Sequence, residues 1–149
     1  MTAIKEITVE ETYPLRHQVL RPHQSIDECK YHGDRDSLTR HFGTYVESKL
    51  VGIVSIYKSP LNHIHDKDCW QIRAMAMDVS VRKKGYANEI LKKAEAYALE
   101  NGAKYIWCNA RVSALGFYEK NNYALYGKEF YVEDIGQHYI MIKESNTPI

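Results

Sequence analysis

Residues 81–87 read VRKKGYA, between an alternating run, IRAMAMDV (72–79), and a run with helical periodicity, NEILKKAEAYALENG (88–102). The first N–H groups of a helix lack intrahelical partners and the helix dipole is positive there, so an anion is favoured at such a junction. Gly85 permits a tight turn and a close approach of ligand to backbone, while Arg82, Lys83 and Lys84 add formal charge. A phosphate or pyrophosphate fits this description, and so does solvent around a basic helix cap. Two nucleotide motifs are excluded. No second glycine stands upstream and no Lys-Ser/Thr pair follows, as a Walker loop needs. Lys83 and Ala87 stand where a dinucleotide-binding motif would need glycine.

Working outward, the helix begins near Ala87. Ile90, Leu91, Ala94, Tyr97 and Ala98 form its apolar stripe, Glu89, Lys92, Lys93, Glu95 and Glu100 face out, and Gly102 stands at its C-terminus. Upstream, CWQIRAMAMDVSV (69–81) reads as one long strand with apolar residues on both faces, hence central in its sheet. TRHFGTYV (39–46) and KLVGIVSIY (49–57) form an antiparallel hairpin across a short polar connection. Residues 3–9 suit a first strand. TYPLRHQVLR (12–21) suits a helix with Thr12 as its cap and Pro22 as its stop, and 23–38 a loop with one short helix. Residues 58–68 are a further loop. KYIWCNA (104–110) is a strand, SALGFYEKN (113–121) a helix, and YALYGKEFYVED (123–134) with QHYIMIK (137–143) a closing pair of strands. Strand, helix and strand across 70–109 imply a parallel crossover, whereas the hairpins imply antiparallel pairing. The expected fold is therefore α/β (α+β), a mixed central sheet of about 6–7 strands flanked by helices.

The 149 residues, 44% hydrophobic, suit a single domain spanning 1–149, and no repeat or linker divides them. A net charge of +1 supplies no global field for nucleic acid or an anionic membrane, and no aromatic interleaving accompanies VRKK. Three cysteines without close pairing (Cys29, Cys69, Cys108) argue against a disulfide framework and for a reducing, cytoplasmic setting. No leader-like or membrane-spanning apolar run is present in the sequence. His63, His65 and Asp66 offer donor atoms, but in a polar loop they read as solvated, and no metal is assigned. Cys108, in an apolar strand with no cation adjacent in sequence, reads as inert rather than nucleophilic.

Arg82-Lys83-Lys84-Gly85-Tyr86-Ala87 matches Gln/Arg-x-x-Gly-x-Gly/Ala, and its setting resembles the acetyl-CoA-binding motif of the GNAT superfamily of acyltransferases. NARVSALGFYEKNNYALYG (109–127) is similar to the family's segment after its fifth strand, and the order of elements is the family's order. RHFGTYVESKLVGIVSIY and EFYVEDIGQHYIMIK are most similar to small bacterial members of the ElaA type. Two departures stand out: Arg111 where many relatives carry Asn, and Asn122-Tyr123 where they carry Gly-Phe. Asn accommodates a left-handed turn.

The resemblance implies an acetyl-CoA-dependent N-acetyltransferase acting on a primary amine of a small molecule, by direct attack in a ternary complex. It implies that main-chain groups near Met77 and Val79 hold the pantetheine arm and help stabilise an oxyanion, that residues 82–87 hold the pyrophosphate, and that Asn109 adjoins the cofactor. Tyr118 occupies the family's proton-donor position for the departing thiolate, with Phe117 packing beside it. For the base that deprotonates the amine, His138 ranks first, ahead of His41, Asp78 and Glu133. Arg73 and Arg21 are candidates for an anionic group on the acceptor, and equally for structural arginines. The resemblance also allows a homodimer formed through the late strands. A non-catalytic acyl-CoA-binding or sensor module with the same fold is the alternative function.

Overall fold

The computed structural model describes residues 1–61, 68–133 and 135–145, so the His63–Asp66 segment lies outside the described residues. The strands are β1 (Thr2–Ile7), β2 (Arg40–Val46), β3 (Lys49–Lys58), β4 (Cys69–Met77), β5 (Tyr105–Arg111), β6 (Ala124–Val132) and β7 (Gly136–Glu144). The helices are α1 (Val9–Leu15), α2 (Tyr86–Glu100) and α3 (Leu115–Lys120). The hydrogen-bonded strand order is β1-β2-β3-β4-β5-β7-β6, which puts β4 at the centre as expected. Backbone contacts gather into two units, Met1–Tyr57 with Arg73–Tyr97, and Lys58–Ile72 with Ala98–Ile149.

In the first unit β1 and β2, and β2 and β3, pair antiparallel. Ile7, Leu15, Ile53 and Ala76 form a buried cluster that Val19, Leu20, Tyr45 and Leu50 extend. The β2–β3 connection turns through two left-handed residues, Glu47 (φ 49°) and Ser48 (φ 68°), as a two-residue hairpin with the twist of its strands requires.

The entry to α1 differs from expectation. Thr8, not Thr12, is the cap: its side chain accepts from the Glu11 N–H while the Glu11 carboxylate accepts from the Thr8 N–H at 2.9 Å, a reciprocal capping box. This capping ends β1 at Ile7 and starts the helix at Val9, while Thr12 is buried within it, donating to the Val9 carbonyl. Pro14 lies inside α1 and removes one ladder donor, and the helix continues in wider π form over Arg16–Leu20 before Pro22. Thr8→Ala should lower the unfolding free energy by about 1 kcal/mol, read as a lower urea midpoint at unchanged slope. An unchanged midpoint would count against the capping box.

β4 ends sooner than the sequence suggests. Asp78 accepts from the Ser80 N–H at 2.9 Å and caps a 3-10 turn over Val79–Val81, so the strand stops at Met77. Within β4, Ala74 has φ 57°, a bulge-like kink, and Ala76 and Met77 after it are both buried, as befits a strand covered on both faces. In α2, Ile90, Leu91, Ala94 and Ala98 are buried as expected, but Glu95 is buried too instead of facing out, since it flanks the stripe beside Ala94.

In the second unit Cys69–Ile72 of β4 pairs parallel with Tyr105–Cys108, and β7 pairs antiparallel with β5 and β6. Leu61, Cys69 and Trp107 pack with Tyr105, Tyr126, Ile140 and Ile142. Gly102 (φ 86°) closes the end of α2: its N–H reaches the Leu99 carbonyl and the Ala103 N–H the Ala98 carbonyl, a Schellman pattern. Asn122 takes φ 72° in the turn before β6, a left-handed position that asparagine accommodates.

Candidate active site

In the first unit, the turn opening α2 is built on two left-handed residues, Lys83 (φ 66°) and Gly85 (φ 82°). A Cβ on Gly85 would meet nothing within 4 Å, so the glycine serves backbone conformation rather than space. The Glu89 N–H to Gly85 carbonyl bond, 3.3 Å, opens the ladder of a 15-residue helix, leaving the N–H groups of 85–88 at the positive end of the dipole. Arg82, Lys83, Lys84 and Gly85 are exposed, Tyr86 and Ala87 half-buried. Arg82 folds back, its Nε donating to the Met77 carbonyl at 3.3 Å. Among the described residues neither Lys83 nor Lys84 has an acidic partner. Val79, expected on the central strand, instead sits in the 3-10 turn and is 70% exposed.

The same unit holds a polar cluster that the sequence did not disclose. Arg16, fully buried, donates from Nη1 to Asp34 Oδ2 at 2.8 Å and to the Cys29 carbonyl at 2.9 Å. From Nη2 it reaches Asp34 Oδ1 at 3.0 Å, Ser55 Oγ at 3.0 Å and Tyr57 Oη at 3.1 Å. The Tyr57 hydroxyl donates to Asp34 Oδ1 and the Tyr31 N–H to Asp34 Oδ2. Burial alone would raise the Asp34 pKa; the hydrogen bonds from Arg16, Tyr57 and Tyr31 outweigh it and hold the carboxyl below the usual range. Burial drives the Tyr57 phenol far the other way. The only sequence signal was Ser55, fully buried in the otherwise apolar run of β3.

His41 belongs to this cluster and not to the set of free bases. Nε2 lies 3.0 Å from the Asp34 carbonyl, to which it must donate, and Nδ1 lies 2.6 Å from Ser55 Oγ, from which it then accepts. Burial lowers its pKa and keeps the ring neutral. Asp78 is committed as well: hydrogen bonds from the Ser80 N–H and hydroxyl lower its pKa and make it a weak base. Arg21 and Arg73, both half-buried, share Tyr31: the Arg21 guanidinium lies 5.3 Å and the Arg73 guanidinium 4.5 Å from the ring centre. An open groove of about 590 Å³ adjoins, lined by Glu10, Tyr13, Tyr31 and Asp34 among others.

The second unit carries Tyr118, His138 and Asn109. Tyr118, 7% exposed on α3, packs edge-on to Phe117 at 5.1 Å and Tyr123 at 5.5 Å. Its hydroxyl lies against the Cys108 thiol of β5; burial first, and that thiol second, push its pKa well above 10. Burial likewise raises the Cys108 thiol, so it is held protonated and is no nucleophile. His138 is buried on β7, Nδ1 2.9 Å from the Gly136 carbonyl and the ring tilted over Phe130 at 5.6 Å. With Nδ1 donating, Nε2 carries the lone pair that can take a proton. Asn109 points outward from β5, and Glu133 stands in an exposed turn.

This strand order, with a glycine-turned helix after the central strand, is that of the acyl-CoA N-acyltransferase fold, and comparison with known proteins agrees. The model of the acetyltransferase (GNAT) family matches residues 1–123. Over 147 residues, 99% of each chain, the protein is 34% identical to "Uncharacterized N-acetyltransferase YitI" of Bacillus subtilis (strain 168). Among solved structures, Escherichia coli ElaA superposes with a TM-score of 0.72 at 15% identity, covering 97% of this chain and 100% of ElaA. An aminoglycoside 6'-N-acetyltransferase complexed with coenzyme A superposes at 0.75 with 13% identity, covering 95% and 96%. The chain belongs to the GNAT family and is an acetyltransferase of that family. Among its described residues no helix is long and apolar enough to cross a membrane.

Proposed function

We propose that the protein transfers the acetyl group of acetyl-CoA to a primary amine of a small molecule by direct attack, without an acyl-enzyme. The observation that carries this reading is the turn before α2, where two left-handed residues set the first N–H groups of the helix beside the exposed cations Lys83 and Lys84. That arrangement suits the pyrophosphate of CoA, with residues 82–87 supplying the donors. The main chain near Met77 and Val79 holds the pantetheine arm, and an N–H there supports the oxyanion of the tetrahedral intermediate. Asn109 is a further candidate for binding CoA.

In the chemical step the amine nitrogen bonds to the thioester carbonyl carbon, the carbon–sulfur bond breaks, and the sulfur leaves as thiolate. Tyr118 is the donor to that sulfur. Its raised pKa keeps the hydroxyl protonated, so it remains a hydrogen-bond donor to the developing thiolate, and the proton lost by the attacking nitrogen balances the one the sulfur finally takes up. His138, through Nε2, is the leading candidate for that second transfer, since His41 and Asp78 are already committed.

The test is release of free CoA thiol from acetyl-CoA across a panel of primary amines. Amine-dependent release, with N-acetylated product detected by mass, is expected. Thiol release that ignores the amine, or none in the presence of any acceptor, contradicts the reading.

A further inference from the structure

Three guanidiniums crowd one aromatic ring in the first unit: Arg16 at 4.3 Å, Arg73 at 4.5 Å and Arg21 at 5.3 Å from the centre of Tyr31. Asp34 neutralises Arg16 through a two-pronged pair, and no other carboxylate forms an ion pair with this group among the described residues. Arg21 is held by neutral partners, with Nε donating to the Tyr31 hydroxyl at 2.9 Å and Nη1 to Gln24 Oε1 at 2.9 Å. Arg73 makes no hydrogen bond or ion pair among the described residues and is steadied only by the rings of Tyr31 and Tyr57, the latter at 5.6 Å.

A half-buried guanidinium seated on aromatic rings keeps in-plane N–H donors that no protein group uses, and these are shaped for two oxygens of one anion. Two half-buried cations gathered on one ring, neither with an ion-pair partner among the described residues, carry like charge, a cost that a bound anion would reduce. Arg73 immediately precedes the left-handed kink at Ala74, so its direction is fixed by backbone and not by a flexible loop.

We infer that Arg73 and Arg21, on the Tyr31 platform, bind an oxyanion of the acceptor, so that the acceptor is an amine that also carries a carboxylate or phosphate. This inference rests on the acetyltransferase reading for the word acceptor, but the anion site itself does not. Two measurements separate them. In the first, nitrogen-edited NMR follows the arginine Nε–H signals while acetate or inorganic phosphate is added. Saturable shifts at Arg73 and Arg21 that are lost in Arg73→Ala are expected. No shift, or shifts that survive Arg73→Ala, overturn the site.

In the second, acetylation is compared for an unbranched alkylamine and for the ω-amino carboxylate and ω-amino phosphonate of matched length. One anionic arm should exceed the alkylamine in kcat/KM, and Arg73→Ala should cut that preference by about 30-fold to about 100-fold, chiefly in KM, with Arg73→Lys recovering part of it. Which anionic arm wins identifies carboxylate or phosphate. Acetylation with no preference for either overturns the inference while the acetyltransferase reading stands. Anion binding with no acetylation of any amine does the reverse.

Discussion

Replacing Tyr118 by Phe should lower kcat by roughly 100-fold to about 10,000-fold while acetyl-CoA affinity stays near that of the wild type. The ring contacts with Phe117 and Tyr123 survive this change, so the fold should tolerate it. What is removed is the hydroxyl beside Cys108, which burial keeps protonated and so available as a hydrogen-bond donor to a departing thiolate. Steady-state kinetics together with calorimetric binding of acetyl-CoA separate the two effects. A parallel loss of affinity and rate would mark a packing residue, and an unchanged rate would remove Tyr118 from the chemistry. A protein that only senses acyl-CoA has no rate to lose.

The largest expected loss of stability follows from the buried pair. Arg16→Ala leaves the Asp34 carboxylate, 6% exposed in its side chain, without its two-pronged partner, and should cost about 3–5 kcal/mol. Against a typical total of about 5–15 kcal/mol this approaches unfolding. Replacing both partners by apolar residues of similar size should recover much of the loss, because no unpaired charge then remains buried. Urea denaturation of the single and double variants measures both, and a cost below about 1 kcal/mol for Arg16→Ala contradicts this account of the cluster.

The pair also fixes the sign of the acid response. The folded pKa of Asp34 is depressed, so its stabilisation is present above the ordinary carboxylate pKa of about 4 and is lost as pH falls through the lower folded value. His41 is depressed too, mainly by burial, so the unfolded chain takes up its proton first, and stability begins to fall below about pH 6.5. Both groups therefore make the protein less stable in acid.

What could be read from the chain was what local chemistry determines. The apolar stripe of α2, the strand-like runs of β2 and β3 across a short polar connection, and the basic glycine turn placed the central strand, the crossover and the family. Capping geometry was misjudged because two threonines, Thr8 and Thr12, stand four apart, and only the Glu11 partner three residues after Thr8 selects the first. The Ala74 kink left no trace, since alanine carries no preference for a left-handed backbone. The Arg16–Asp34–Ser55–Tyr57–His41 cluster joins residues up to 41 positions apart, which no local pattern encodes. Glu95 read as a surface residue from its charge alone.

The most direct test of the central claim is a calorimetric titration of acetyl-CoA into the wild-type protein and into Gly85→Val. The variant cannot readily hold φ 82° and should lose the turn that presents the helix N–H groups. Saturable one-to-one binding by the wild type, weakened about tenfold or more in the variant, is the predicted result. Absence of saturable binding to the wild type, or equal binding by both, would contradict it.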